Sequence, residues 1–480
     1  MWRGKAFPST RVGKAHRRGV CASLGVPIFI CVTDGTGFRL TLPRRLAADT
    51  GSDRPQTTES LAVLASHEMH LVRIGFQLAA ALVTLGLLVV NAHLYSPGSA
   101  KYGPDQLGED IVPQLTFIGA ALREGEGERM QGLFPEGFFF SHILYGLAWV
   151  EVGLRVPQGS SLHGQAIQQA SWALSRLDTT EARAPFRSNM DPPYGAFYVG
   201  WTNWLRGGVL MLLPEDRRPS AEIDRFEADS VGLALAFDRS PTPFLPAYPG
   251  RAWPVDSVVA IASLRLHDAI LPPRFSETVE RWVGAAQDRL DPITGLLPHR
   301  SDPLTGEPLE GARGSSQSLI ARFLPEVDPE WGRTQYASFR REFVGSFLGI
   351  PGVREYSAGR SGSGDIDTGP LFAGFSPSAS VVMVAAAQVN GDRELADAFI
   401  DVSEALGLPV RWGNTKRYAL GILPVGDAFL VWAKTSRPWV AEWTPAVLPR
   451  VVPPSWRVPL QAATLVVVGG MWALSRRFRN

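Results

Sequence analysis

Residues 195–237 read GAFYVGWTNWLRGGVLMLLPEDRRPSAEIDRFEADSVGLALAF. From 195 to 213 the only charged residue is Arg206, among glycines, aromatics and aliphatics. After the PEDRRPS turn the pattern changes. Ile223, Phe226, Leu233 and Phe237 recur at helical spacing, with acids and an arginine between them. A helix that is apolar all round belongs in an interior, and one with a single apolar stripe lies outside it. This stretch therefore predicts an inner helix followed by an outer one.

The same alternation extends in both directions. Apolar helices are expected at residues 137–155, 195–213, 256–271, 315–324, 369–388 and 424–434. Amphipathic ones are expected at 114–124, 164–177, 220–237, 273–290, 329–348 and 393–406. That is an all-α chain of about twelve helices in six pairs, suited to a closed ring with an inner and an outer layer. No fixed repeat length is visible, so a solenoid is not indicated. Links from inner to outer helices are short. Links from outer to inner helices are long, as at 178–194, 238–254, 291–314 and 349–368. Long loops often carry function, and these all arrive at inner-helix N-termini, on one face of the ring.

The junctions FPEGFFFSHILYGLAW (134–149), MDPPYGAFYVGWTNWL (190–205), AWPVDSVVAIASL (252–264), GARGSSQSLIARFL (311–324) and GDIDTGPLFAGFSPSAS (364–380) carry a resemblance. Over about residues 110–437 the chain resembles the (α/α)6-toroid, six-hairpin glycosidase-like class, which includes glycoside hydrolases and polysaccharide lyases. Enzymes of the linalool dehydratase-isomerase type are similar in architecture. That type is expected to use pocket cysteines, whereas Cys21 and Cys31 lie outside the toroid region. The first resemblance implies hydrolysis or binding of an envelope glycan. The others in view are a non-catalytic glycan-binding or assembly protein and an isoprenoid-processing enzyme.

Converging helix N-termini favour anions and ionised carboxylates, so an acid there needs burial to stay protonated. Asp256, Asp365 and Asp367 are the candidate catalytic carboxylates, with Glu136 at the same mouth. Glycosidic chemistry needs one carboxyl to protonate the leaving oxygen and a second to activate water or attack. Candidate substrate contacts are His142, Tyr145, Asp191, Tyr194, Tyr198, Trp201, Trp253, His299, Arg313 and Ser316, with Tyr198 and Trp253 as sugar platforms. Each has a plainer alternative. Asp256 sits where a helix cap belongs. Asp367 or Thr368 suits the cap of a helix begun by Pro370, which leaves Asp365 the freer carboxylate. Asp191 can simply shape a turn, and His142 with Tyr145 can be core residues. Arg313 can bind a substrate carboxylate or form a structural ion pair. The repeated DPITG and DPLTG, at Asp291 and Asp302, are turn signals around a small hairpin.

Several chemistries find no support. The G-x-G in GRSGSGDIDTG follows no strand, GFSPS is not G-x-S-x-G, and GSSQS lacks the lysine of S-x-x-K. No zinc spacing occurs, and calcium at Asp365 and Asp367 lacks further spaced oxygen ligands, so no cofactor or metal is expected. Net charge +1 over 480 residues gives no case for a nucleic-acid partner.

Two uncharged runs, at 74–92 and 458–474, are close to the roughly 20 residues a spanning helix needs. Arg73 before the first and Arg476, Arg477 and Arg479 after the second place both termini in the cytoplasm. The expected organisation is a basic, disordered extension at 1–72, a span at 73–95 and an extracytoplasmic toroid at 96–445. A proline-rich linker at 446–457, a span at 458–476 and a tail at 477–480 complete it. Met69 would also serve as the start of a signal-anchor protein. The expected location is the cell membrane, with a glycan or other small molecule as substrate.

Overall fold

The computed structural model describes residues 21–22, 30–31, 56–95, 105–444 and 448–477. It divides into two compact units, Met1–Val72 and Arg73–Asn480. In the first, Cys21–Ala22 pairs antiparallel with Ile30–Cys31, which sets Cys21 opposite Cys31. Most of the expected disordered extension lies outside the described residues.

Sixteen α-helices account for most of the described chain. Helix α1 is Gln56–His93. The next three are α2 (Ile111–Arg123), α3 (Glu126–Leu133) and α4 (Gly137–Gly153). Then come α5 (Ser161–Leu177), α6 (Thr180–Arg183), α7 (Gly195–Met211) and α8 (Ser220–Arg239). The chain continues through α9 (Pro254–Ile270), α10 (Ser276–Gln287), α11 (Gly314–Val327) and α12 (Pro329–Phe343). It ends with α13 (Pro377–Val389), α14 (Arg393–Leu406), α15 (Pro424–Thr435) and α16 (Val458–Arg477).

Six helices form the interior: α4, α7, α9, α11, α13 and α15. Nearly every side chain of α4 and α7 is buried, as the absence of a polar stripe dictates. These helices pack in the order α4, α7, α9, α11, α13, α15, and α15 packs back on α4. Each is covered by an amphipathic partner: α4 by α5, α7 by α8, α9 by α10, α11 by α12 and α13 by α14. The last, α15, is covered by α2, the first helix of the series. Small residues set the closest approaches. A Cβ on Gly200 would meet the Ala260 backbone at 2.9 Å, so α7 and α9 touch main chain to main chain.

One end of this assembly is closed by the segment after α15. Trp439 stacks on Trp204, with ring centroids 4.7 Å apart and planes inclined by 6°. Glu326 accepts the backbone N–H groups of Trp439, Val440 and Ala441 and pairs with Arg322 at 2.9 Å. Glu151 accepts from Trp439 Nε1 at 2.9 Å and pairs with Arg155 at 2.7 Å. These residues come from the C-terminal halves of α4, α7 and α11, so this is the C-terminal end.

Three short hairpins interrupt the helices. Val344–Phe347 pairs with Ile350–Arg354, and Phe375–Ser376 adds a third strand. Arg300–Ser301 pairs with Pro308–Glu310, and Val410–Trp412 with Thr415–Arg417. The first corrects the expectation of a helix running to 348. Leu348 and Gly349 both take positive φ, 50° and 84°, as a tight two-residue hairpin turn requires. Helix α13 also begins later than expected, at Pro377 rather than near 369.

Helices α1 and α16 contain the stretches His70–His93 and Val458–Arg476, each long and apolar enough to cross a membrane. Leu78, Leu82, Leu85, Leu465 and Val466 face outward. The two helices are joined by hydrogen bonds from Asn91 Nδ2 to Thr464 Oγ1 at 2.9 Å and from Trp472 Nε1 to Thr84 Oγ1 at 3.1 Å.

Candidate functional site

The carboxylates gather at the opposite, N-terminal end. Helix α4 begins after Glu136, α9 has Asp256 in its first turn, α11 begins after Arg313, and Asp367 lies in the loop that leads to α13.

The 362–376 loop is folded on itself, which explains the late start of α13. Asp365 Oδ1 accepts the backbone N–H groups of Asp367 at 3.1 Å and Thr368 at 3.2 Å. Its other oxygen lies 2.7 Å from Arg313 Nη2. Asp365, which looked the freer carboxylate, is thus the organiser of the turn. Neither Asp367 nor Thr368 caps α13. Ser376 does, accepting from Ala379 N at 3.1 Å, with Pro377 opening the helix. Ser378 Oγ donates to the Asp367 carbonyl at 2.7 Å, and Ser376 Oγ donates to the Thr368 carbonyl at 2.9 Å. The Asp367 backbone is therefore held on both sides while its carboxyl makes no hydrogen bond or ion pair among the described residues.

Asp256 is the deepest member. Its residue is 5% exposed, and no cation or donor reaches its carboxyl among the described residues. It does not cap α9, whose cap position is Trp253. A helix N-terminus would lower its pKa. Burial wins instead and raises it well above the ordinary carboxyl value, helped by the charges of Asp367 and then Glu136. Asp367 is pushed up to about 6, by its crowded surroundings first, then by Asp365 and Glu136, while Arg313 pulls it down. It keeps solvent access even so, because the loop is open on one side. Glu136 accepts a hydrogen bond from Tyr248 Oη. Burial, then Glu136, holds that phenol in its protonated form. Half-buried Trp253 meets Tyr248 edge-on at 5.7 Å.

Arg313 borders this group and is paired with two carboxylates, Glu355 and Asp365. Its Nε donates to Glu355 at 2.7 Å, and Glu355 also accepts from Ser315 N and Oγ. With Asp365 on its other side, Arg313 is not available to clamp a substrate carboxylate. His299 hydrogen bonds with Ser316 Oγ at 2.5 Å and lies 3.4 Å from Arg313 Nη1. Burial and the neighbouring Arg313 lower its pKa to about 3, so the ring is neutral.

The remaining candidates lie elsewhere. His142 bonds its own helix at Phe138 O and stacks on Phe138, and burial lowers its pKa to about 4. Tyr145 donates to Gln169 of α5 at 2.8 Å, so both fill the α4–α5 layer. Tyr198 donates to Leu177 O and accepts from Arg183, which also lies over Tyr194. The Tyr198 hydroxyl, expected at a sugar platform, is thus bonded on both sides. Trp201 is a core residue against Phe140, Phe323 and Trp432. Asp191 forms a two-pronged surface ion pair with Arg239. Asp291 and Asp302 bond within their own turns.

Two participants carried no sequence signal of their own. Tyr248 lies in a long loop, and Glu355 follows a hairpin that was not expected. Among the described residues no group of three or more His, Cys, Asp or Glu is arranged to hold a metal ion. The assembly can donate a proton from Asp256 and accept one at Asp367 beside a half-buried aromatic ring. No protein-family model matches the chain, and no curated protein matches it.

Proposed function

We propose that this is a membrane-anchored, extracytoplasmic acid–base enzyme that hydrolyses an envelope glycan. The observation that carries this reading is Asp256, buried and unpartnered beside two further carboxyls at the N-terminal end of the inner helices. Pairs of acids whose surroundings push their pKa values apart divide naturally into donor and acceptor. Asp256 stays protonated and gives its proton to the leaving glycosidic oxygen. Asp367, ionised above about pH 6, activates water or attacks the sugar. Trp253 offers the ring face against which a sugar packs. A non-catalytic glycan binder would hold its acids on backbone N–H groups, as Asp365 is held; Asp256 and Asp367 are not. Phe140, Trp201, Phe323 and Trp432 fill the interior behind the site, which favours a polar substrate at the surface over an isoprenoid in a deep pocket.

The cyclic packing order and the six inner–outer pairs support an (α/α)6 toroid, the architecture of six-hairpin glycosidases. Helices α1 and α16 are read as the two spans. The arginines at 73, 476, 477 and 479 support cytoplasmic termini and an outward-facing toroid.

The test is a hydrolysis screen of the full chain in detergent or nanodiscs against polysaccharides and glycolipids, with Asp256→Asn and Asp367→Asn alongside. Turnover that disappears in both variants while folding is kept supports the reading. Turnover unchanged in both overturns the assignment. A reporter fused near residue 300 that locates to the cytoplasm overturns the topology.

A further inference from the structure

We propose that the Val344–Arg354 hairpin rests its tip, Phe347 and Leu348, in the surface of the bilayer crossed by α1 and α16. The proposal depends on the reading of those helices as membrane spans.

Both spans meet the helical body at one place. Leu94, at the end of α1, and Trp456, just before α16, are buried together with Ala398 and Ala405 of α14. Arg457 donates to the Leu94 carbonyl at 2.8 Å and pairs with Asp401 of α14. Its guanidinium lies 4.4 Å from the Trp456 ring centroid and 5.1 Å from that of Tyr95. A tryptophan, a tyrosine and an arginine at one end of two apolar helices mark the level of the lipid headgroups.

The hairpin is seated at that level. It packs on α14, and a Cβ on Gly349 would meet the Trp456 carbonyl at 2.5 Å and the Pro459 ring at 2.8 Å. Pro459 belongs to the first turn of α16, so the turn of the hairpin touches the start of the span. At this point the chain exposes apolar side chains: Phe347 is 51% exposed and Leu348 is 58% exposed. Leu348 also holds a left-handed backbone, φ 50°, where glycine or asparagine is usual. In that region the Cβ crowds the following carbonyl oxygen, so a leucine there is strained. Strain and exposure together disfavour this residue at a tip in water. A tip lying among acyl chains removes the exposure and makes the leucine useful. The occupant is lipid, because the patch is continuous with the surface of α16.

The test uses the full chain with Cys21→Ser and Cys31→Ser, in nanodiscs that contain nitroxide-labelled lipid. Single cysteines at Leu348→Cys, at Val466→Cys in α16 and at Leu235→Cys carry an environment-sensitive dye. Leu235 lies on α8, three steps round the packing cycle from α14. The expected result is quenching at 348 by shallow nitroxides at least threefold above that at 235, with shielding from aqueous iodide. If 466 is quenched by deep nitroxides while 348 matches 235, the tip proposal is overturned and the span reading stands. If 466 is not quenched, the span reading falls and the tip proposal falls with it.

Discussion

The two ends of the inner helices both bury carboxylates, and they treat them in opposite ways. At the C-terminal end, Glu151 has Arg155 and the Trp439 indole, and Glu326 has Arg322 and three backbone N–H groups. Every acid there is offset by donors from another part of the chain, as a buried charge must be. At the N-terminal end, Asp256 faces Asp367 and Glu136 with no cation of its own. Arg313, the cation that bears on Asp367, is paired with Glu355 and Asp365. The contrast sets a charge-matched fastening against an uncompensated carboxylate group, which the proposed function reads as the reactive site.

Four experiments can break or sharpen this contrast. The largest effect falls at the fastened end. Glu326→Ala leaves Arg322, itself fully buried, without its partner. Thermal and denaturant unfolding should lose about 3–5 kcal/mol; a loss below 1 kcal/mol would show that the charge match there contributes little. Next, Asp256→Asn should keep or raise the melting temperature while lowering turnover by about 10²–10⁴-fold, the usual contribution of a general acid. A destabilised Asp256→Asn protein would mean that the carboxyl has a structural partner and would erase the contrast.

Third, Arg313→Met removes the cation that pulls Asp367 down. Removing it raises the Asp367 pKa, so the acid limb of the rate profile should move from about pH 6 to higher pH, by about one pH unit. The charge of Asp367 bears on Asp256, so the limb belongs to that pair. The smallest effect concerns stability. Asp367 has a folded pKa above its unfolded one, so the folded state favours its proton. That favour is full below pH ~4 and lost as pH rises through about 6. Asp367→Asn should therefore stabilise the protein at pH 7 relative to pH 4, by about 1 kcal/mol after solvent screening. Equal melting shifts at both pH values would contradict the raised pKa.

Local pattern made much of this legible. The alternation begun at 195–237 marks all six interior helices, because a missing polar stripe is a property of the segment itself. The turn roles of Asp291 and Asp302 were readable from Asp-Pro-x-Thr-Gly for the same reason. The 329–348 segment misled, because the amphipathic spacing of α12 runs on into VGSFLGIPGVR, where Val344–Phe347 instead pairs with Ile350–Arg354 as a hairpin. The start of α13 misled too: Pro370 and Pro377 are equally good first-turn residues, and the choice rests on Asp365 folding its own loop. Tyr248 and Glu355 acquire their roles from partners 112 and 42 residues away, beyond the reach of any window. The contacts of His142, Tyr145 and Tyr198 with α3, α5 and the Leu177 carbonyl were not readable, because an apolar helix does not reveal which side faces its outer partner.

The shared attachment of α1 and α16 to α14 has a consequence for what the carboxylate group can meet. Both tethers leave from one edge of the body. From there the strand Ile350–Arg354 leads to Glu355, which holds Arg313 at the rim of the carboxylate group. At about 3.3 Å per residue, Leu348 to Glu355 spans about 23 Å. On the proposed reading, the carboxylate group therefore lies close to where the chain meets the membrane. With the proposed anchoring, its reach favours the sugars nearest the lipid over the distal units of a long chain.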